Sequence, residues 1–80
     1  MEIKVLGSGC ANCKRLYQFT LQAVSDLAID AEVLYVTDMH AIADSGLMRT
    51  PGLIIDGKIV SYGRVSTVDE IKNLINKANI

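Results

Sequence analysis

The sequence predicts an α/β protein in the order β-α-β-α-β-β-α, a mixed four-stranded sheet with helices on both faces. Three observations carry this expectation. A short alternating run leads into a long helical pattern, and a continuous run rich in β-branched and aromatic residues follows it, which makes a βαβ unit. Asp56-Gly57 stands between two apolar runs, the signal of an antiparallel hairpin whose turn residues both take positive φ. The last stretch spaces apolar residues at helical intervals behind a Ser/Thr capping pattern.

In chain order, Glu2 to Leu6 alternates polar and apolar residues and then meets Gly7-Ser8-Gly9, a strand ending in a loop. From Cys10 the apolar positions Cys13, Leu16, Tyr17, Leu21, Val24, Leu27 and Ala28 mark one face of a helix running to about Ile29. Ala31 to Thr37 holds Val33, Leu34, Tyr35 and Val36 in succession, as suits a parallel strand buried on both faces. Asp38 is an N-cap for a short helix from Met39 to about Ser45, which Gly46 stops. Thr50-Pro51-Gly52, containing the one proline, precedes the hairpin strands Leu53 to Ile55 and Lys58 to Ser61. Ser66 with Asp69, or Thr67 with Glu70, caps a final helix whose buried stripe is Val68, Ile71, Leu74, Ile75 and Ala78.

Eighty residues suffice for one domain, residues 1–80. Half of them are apolar, and the net charge of −1 is spread along the chain. No basic stripe points to nucleic acid. No apolar run approaches the roughly 20 residues of a membrane span. The first strand follows Met1 at once, leaving no room for a signal peptide, so a cytoplasmic protein is expected. In a reducing compartment a disulfide is transient and chemical rather than structural. A bridge between residues 10 and 13 would also close too small a loop to stabilise much.

The two cysteines, Cys10 and Cys13, are therefore the chemistry-bearing pair. A Cys-x-x-Cys at a strand-to-helix junction reads as a thiol-disulfide redox site. Cys10 meets the unpaired N–H groups and positive end of the helix dipole, with Lys14 and Arg15 nearby as supporting cations. Such sites bring a thiol pKa down to about 3.5–7.5. Cys10 is then the attacking thiolate and Cys13, one turn inside, the resolving thiol. The rival reading is a soft-metal or metalloid module using the same two thiols. Structural zinc needs about four ligands, and His40, the one other soft candidate, reads as an exposed first-turn residue. No metal site is expected. Tyr17, Phe19 and Met48 read as packing residues.

With the Cys-x-x-Cys opening the first helix and Thr50-Pro51 ahead of a hairpin and C-terminal helix, the whole chain resembles a thioredoxin-fold protein. Its brevity and the run Thr50 to Lys58 are most similar to the small archaeal and bacterial group called redox-active disulfide protein 2. The resemblance implies a thiol-disulfide oxidoreductase acting on disulfide-containing proteins, recycled by a thioredoxin-reductase-like enzyme and needing no bound cofactor; a monomer is expected. It implies a cis Thr50–Pro51 bond packed beside the cysteines. Thr50 is then free to pair with an extended substrate segment, and Gly9 and Gly52 admit a partner's backbone. The chain departs from the common pattern in three places. Ala11-Asn12 lies between the cysteines, where thioredoxins carry Gly-Pro and glutaredoxins Pro-Tyr. Gly9, not tryptophan, precedes Cys10, and Lys4 stands where many thioredoxins have a buried acid.

Overall fold

The computed structural model describes residues 1–78. Its elements are β1 (Glu2–Leu6), α1 (Ala11–Leu27), β2 (Glu32–Val36), α2 (Met39–Asp44), β3 (Gly52–Ile55), β4 (Lys58–Tyr62) and α3 (Val68–Ala78), the expected order. The sheet runs β2-β1-β3-β4, with β1 and β2 parallel and the other two pairings antiparallel. Period-two alternation divides the side chains between the two faces. Ile3 and Val5 with Leu53 and Ile55 meet Leu16, Ala23, Ile71 and Ile75 of α1 and α3. On the other face Leu6 and Ile54 meet Ile42 of α2, with Val36 and Leu47 against them.

Each boundary has a local cause. The N-terminus of α2 is capped by the Asp38 carboxylate, which accepts from the His40 N–H at 3.0 Å. At the start of α3 the Thr67–Glu70 pairing forms rather than Ser66–Asp69. The Thr67 hydroxyl accepts from the Glu70 N–H at 3.2 Å, and the Glu70 carboxylate accepts from the Thr67 N–H at 3.1 Å. That backbone donor, followed by the Arg64 guanidinium on the same carboxylate, holds the Glu70 pKa below its ordinary value. Ser66 is instead buried, its hydroxyl 3.2 Å from that of Ser61. Asp56 and Gly57 both take positive φ at the hairpin turn, 48° and 84°. The hairpin is not fully regular, because the β3–β4 register shifts between Leu53 and Ile54 and leaves Val60 without an opposite residue.

Four side-chain expectations are corrected. On α1 the buried positions are Cys13, Leu16, Thr20 and Ala23, while Leu21 stays 42% exposed and Ala28 is exposed as the left-handed C-cap. Thr20 is tolerated at the centre because its hydroxyl donates to the Leu16 carbonyl at 2.7 Å. The apolar run of β2 is parallel to β1 as expected, yet it is an edge strand whose residues are half-buried. Met48 is 83% exposed rather than packed, and Ala78 is exposed at the end of α3.

Tyr17 and Phe19 do pack against the core, and the Tyr17 ring stacks on Tyr35 with centroids 4.9 Å apart. The Tyr35 hydroxyl is buried there without a hydrogen-bond partner among the described residues. Such a group loses its water on folding and gains nothing in return. Tyr35→Phe is therefore expected to stabilise the protein by about 1 kcal/mol, raising Tm by roughly 4–8 °C for a domain of this size. Thermal unfolding followed by circular dichroism checks this, and an unchanged or lowered Tm refutes it.

Candidate active site

The strand-to-helix junction after β1 builds the site. The chain leaves Leu6 through Gly7, whose N–H donates to the Val36 carbonyl at 3.0 Å and so prolongs the β1–β2 ladder by one residue. Gly9 turns the chain with φ at 91°, a conformation that suits glycine. Cys10 follows with extended backbone as the N-cap of α1, and Cys13 completes the first turn. The two are joined in a disulfide, with Cα atoms 5.1 Å apart. The Cys10 sulfur accepts from the Cys13 N–H at 3.1 Å. One of the unpaired donors of a helix N-terminus is thus aimed at this sulfur. The first turn of α1 contains no acidic residue, and Lys14 and Arg15 are exposed beside it.

The two sulfurs have different surroundings. Cys10 lies in the exposed stretch 8–12, whereas Cys13 is fully buried. The burial comes from Gly7. A Cβ at Gly7 would overlap the Cys13 sulfur and come within 2.7 Å of its Cβ, so only a residue without a side chain lets α1 seat Cys13 against the end of β1. In the sequence Gly7 reads simply as the start of a loop. Its position directly after a strand and ahead of the cysteines is the available signal, but the contact that requires it is tertiary.

Thr50–Pro51 is a cis peptide bond, as expected. Register places it. Leu6 pairs with Gly52 in the antiparallel β1–β3 ladder, so one step further the chains continue as Gly7 and Pro51. The proline therefore stands next to the residue that contacts Cys13. Pro51 is buried and Thr50 exposed, and the Pro51 carbonyl accepts from the Gly63 N–H at 2.9 Å, tying the loop after β4 to the same corner. Gly52 also has a packing part. It is buried, and a Cβ there would run into the Leu47 side chain, with Cδ2 at 2.6 Å and Cγ at 3.0 Å. It makes room for the chain's own leucine.

Lys4 does not reach this corner. It alternates with Ile3 and Val5, lines the cleft under α2 with Ala41, Asp44 and Ser45, and pairs with Glu2 at 3.4 Å near the surface. His40 is exposed at the start of α2, as the sequence suggests. Among the described residues, no group of three or more His, Cys, Asp or Glu is placed to hold a metal ion. No helix among them is long and apolar enough to cross a membrane.

Comparison with known proteins agrees with this geometry. A family model described as a thioredoxin domain matches residues 1–76. A thioredoxin of Methanothermobacter thermautotrophicus is 41% identical over 76 residues, covering 95% of this chain and 99% of its own length. A thioredoxin of Methanocaldococcus jannaschii is 41% identical over 70 residues, covering 88% of this chain and 80% of its own.

Proposed function

The chain belongs to the thioredoxin domain family, and from that premise we propose that it reduces disulfides in partner proteins with Cys10 and Cys13 as its catalytic pair. The protein is a thiol-disulfide oxidoreductase. The observation that supports the division of labour is the contrast between an exposed, N-capping Cys10 and a buried Cys13 one turn away.

In the reduced protein the Cys10 thiolate keeps the Cys13 N–H as a hydrogen-bond donor and gains from the helix dipole, with Lys14 and Arg15 adding positive potential. It attacks one sulfur of a partner disulfide. A Cys10–partner bond forms, the partner's own S–S bond breaks, and the first partner thiol leaves. Cys13 then gives up its proton and attacks the Cys10 sulfur, closing the bridge and releasing the second thiol. Two electrons pass to the partner, whose two sulfurs take one proton from Cys13 and one from solvent, and the Cys10–Cys13 pair becomes the disulfide seen here. The pair carries the electrons itself, so no bound cofactor is needed.

Thr50, exposed before the cis bond, and Gly9, on the other side of the cysteines, are the backbone positions that an extended substrate segment meets. The 80 residues act as one domain and as a monomer, in the cytoplasm, with a thioredoxin-reductase-like enzyme returning the disulfide to the dithiol.

Cys13→Ser tests this mechanism. Without the resolving thiol, a partner carrying a disulfide is expected to stay bound through Cys10, as a reductant-sensitive adduct of one protein to one partner by mass spectrometry. An adduct that fails to form, or that forms through another residue, overturns the assignment.

A further inference from the structure

Parallel β1 and β2 end, antiparallel β3 begins and β4 ends at the same edge of the sheet, because Leu6 pairs with both Val36 and Gly52 and Gly52 pairs with Tyr62. The disulfide lies at this edge. So do three of the five large apolar side chains that stand exposed, Met48 at 83%, Met39 at 63% and Tyr62 at 52%. Charge is partitioned along the same axis. All three arginines (Arg15, Arg49 and Arg64) and Lys14 belong to segments at the disulfide end, although acids outnumber Lys and Arg in the chain by nine to eight. Glu2, Glu32 and Asp56 stand at the opposite end, where β1 and β2 begin and the hairpin turns, with Lys58 as the cation beside that turn.

The cations at the disulfide end are largely uncommitted. Arg64 is held by Glu70 in a two-pronged pair at 2.7 and 3.0 Å, but Lys14, Arg15 and Arg49 have no salt-bridge partner among the described residues. The acids nearest this end are Asp38, which caps α2, Glu70, bound to Arg64, and Asp69 in the first turn of α3. Arg49 is also positioned. Its stem packs over Gly63, where a Cβ would lie 3.2 Å from both the Arg49 Cβ and Cδ, and Gly63 in turn donates to the Pro51 carbonyl. Arg49, which follows Met48 in the chain, is thereby held against Gly63, the neighbour of Tyr62 and the donor to the proline corner.

We propose that Met48, Arg49 and Tyr62, with Lys14 and Arg15 across the cysteines, form a docking face. It selects partner proteins whose disulfide lies in a segment of apolar and acidic residues. An exposed apolar set rimmed by unpaired cations attracts a segment of that composition twice over, by burial and by charge. This selectivity rests on the disulfide-exchange reading and deepens it.

The test is kinetic, using the full chain and three peptide disulfides alike except for the residues flanking the leucine-cysteine core, which are glutamate, serine or lysine. At low ionic strength kcat/KM for the glutamate peptide is expected to exceed that for the lysine peptide by roughly tenfold, with serine between. Added salt should close the gap by screening. Arg49→Glu should flatten or reverse the order, and Met48→Ser should raise KM for all three peptides. Equal kcat/KM across the peptides, or an order untouched by Arg49→Glu, overturns the docking face while leaving disulfide exchange standing. Failure to reduce any of them overturns both.

Discussion

Replacing Cys10 with serine is expected to abolish disulfide reduction, lowering kcat/KM by a factor on the order of a thousand or more, as removal of an attacking nucleophile does. A serine hydroxyl in the same place receives the same Cys13 N–H and the same helix dipole, yet it stays protonated at neutral pH and cannot form a disulfide. The fold should survive the change. Cys10 is exposed, and serine is itself a favoured N-cap for α1. An insulin-reduction assay with circular dichroism on the same sample separates lost chemistry from lost structure. Retained reductase activity in a folded Cys10→Ser protein would refute the mechanism.

Gly7→Ala is expected to lower the free energy of unfolding by about 1–3 kcal/mol, the range for forcing a methyl group into an occupied site. The backbone of Gly7 does not have the positive φ of Gly9, Gly46, Gly57 and Gly63, so the penalty comes from contact alone. The added Cβ falls on the Cys13 side chain, and either β1 must bend or the first turn of α1 must lift. Urea unfolding of the reduced protein measures the loss. A double-mutant cycle identifies its source, since Gly7→Ala should be less damaging in a Cys13→Ala background where the sulfur is gone. Additive effects would mean that Gly7 matters for some reason other than Cys13.

Much of the fold was legible because local signals agreed with one another. Asp56-Gly57 dictated a tight turn, Asp38 a helix start, and the period of three to four in residues 10–27 a helix, none of which needs tertiary information. Thr67 and Glu70 were one of two capping pairs on offer. The choice fell to them because Ser66 was drawn into the core opposite Ser61, a decision of packing and not of pattern. The face of α1 that turns inward likewise differs by a small rotation from the one hydropathy predicts. Hydropathy favours Leu21 over Thr20, but the internal hydrogen bond of Thr20 removes its penalty for burial and leaves Leu21 half outside.

The site divides in the same way. The sequence by itself determined where the two cysteines sit, since a pair at a strand-to-helix junction can be placed on a helix N-terminus from local pattern alone. It also determined the hairpin and helix that follow the proline, each from its own turn or capping residues. Tertiary structure decided the environment of those atoms. Cys13 is buried because Gly7 lacks a Cβ, Gly52 is small to admit Leu47, and Pro51 comes beside Gly7 through the β1–β3 register. Lys4 faces away from the cysteines because strand alternation points it at α2. Arg49 meets Gly63 only when β3 and β4 pair. Local sequence governs hydrogen bonds and dihedral angles a few residues apart. Close approach between residues distant in the chain depends on how the sheet and helices pack, and that is where this protein's two sulfurs become unlike.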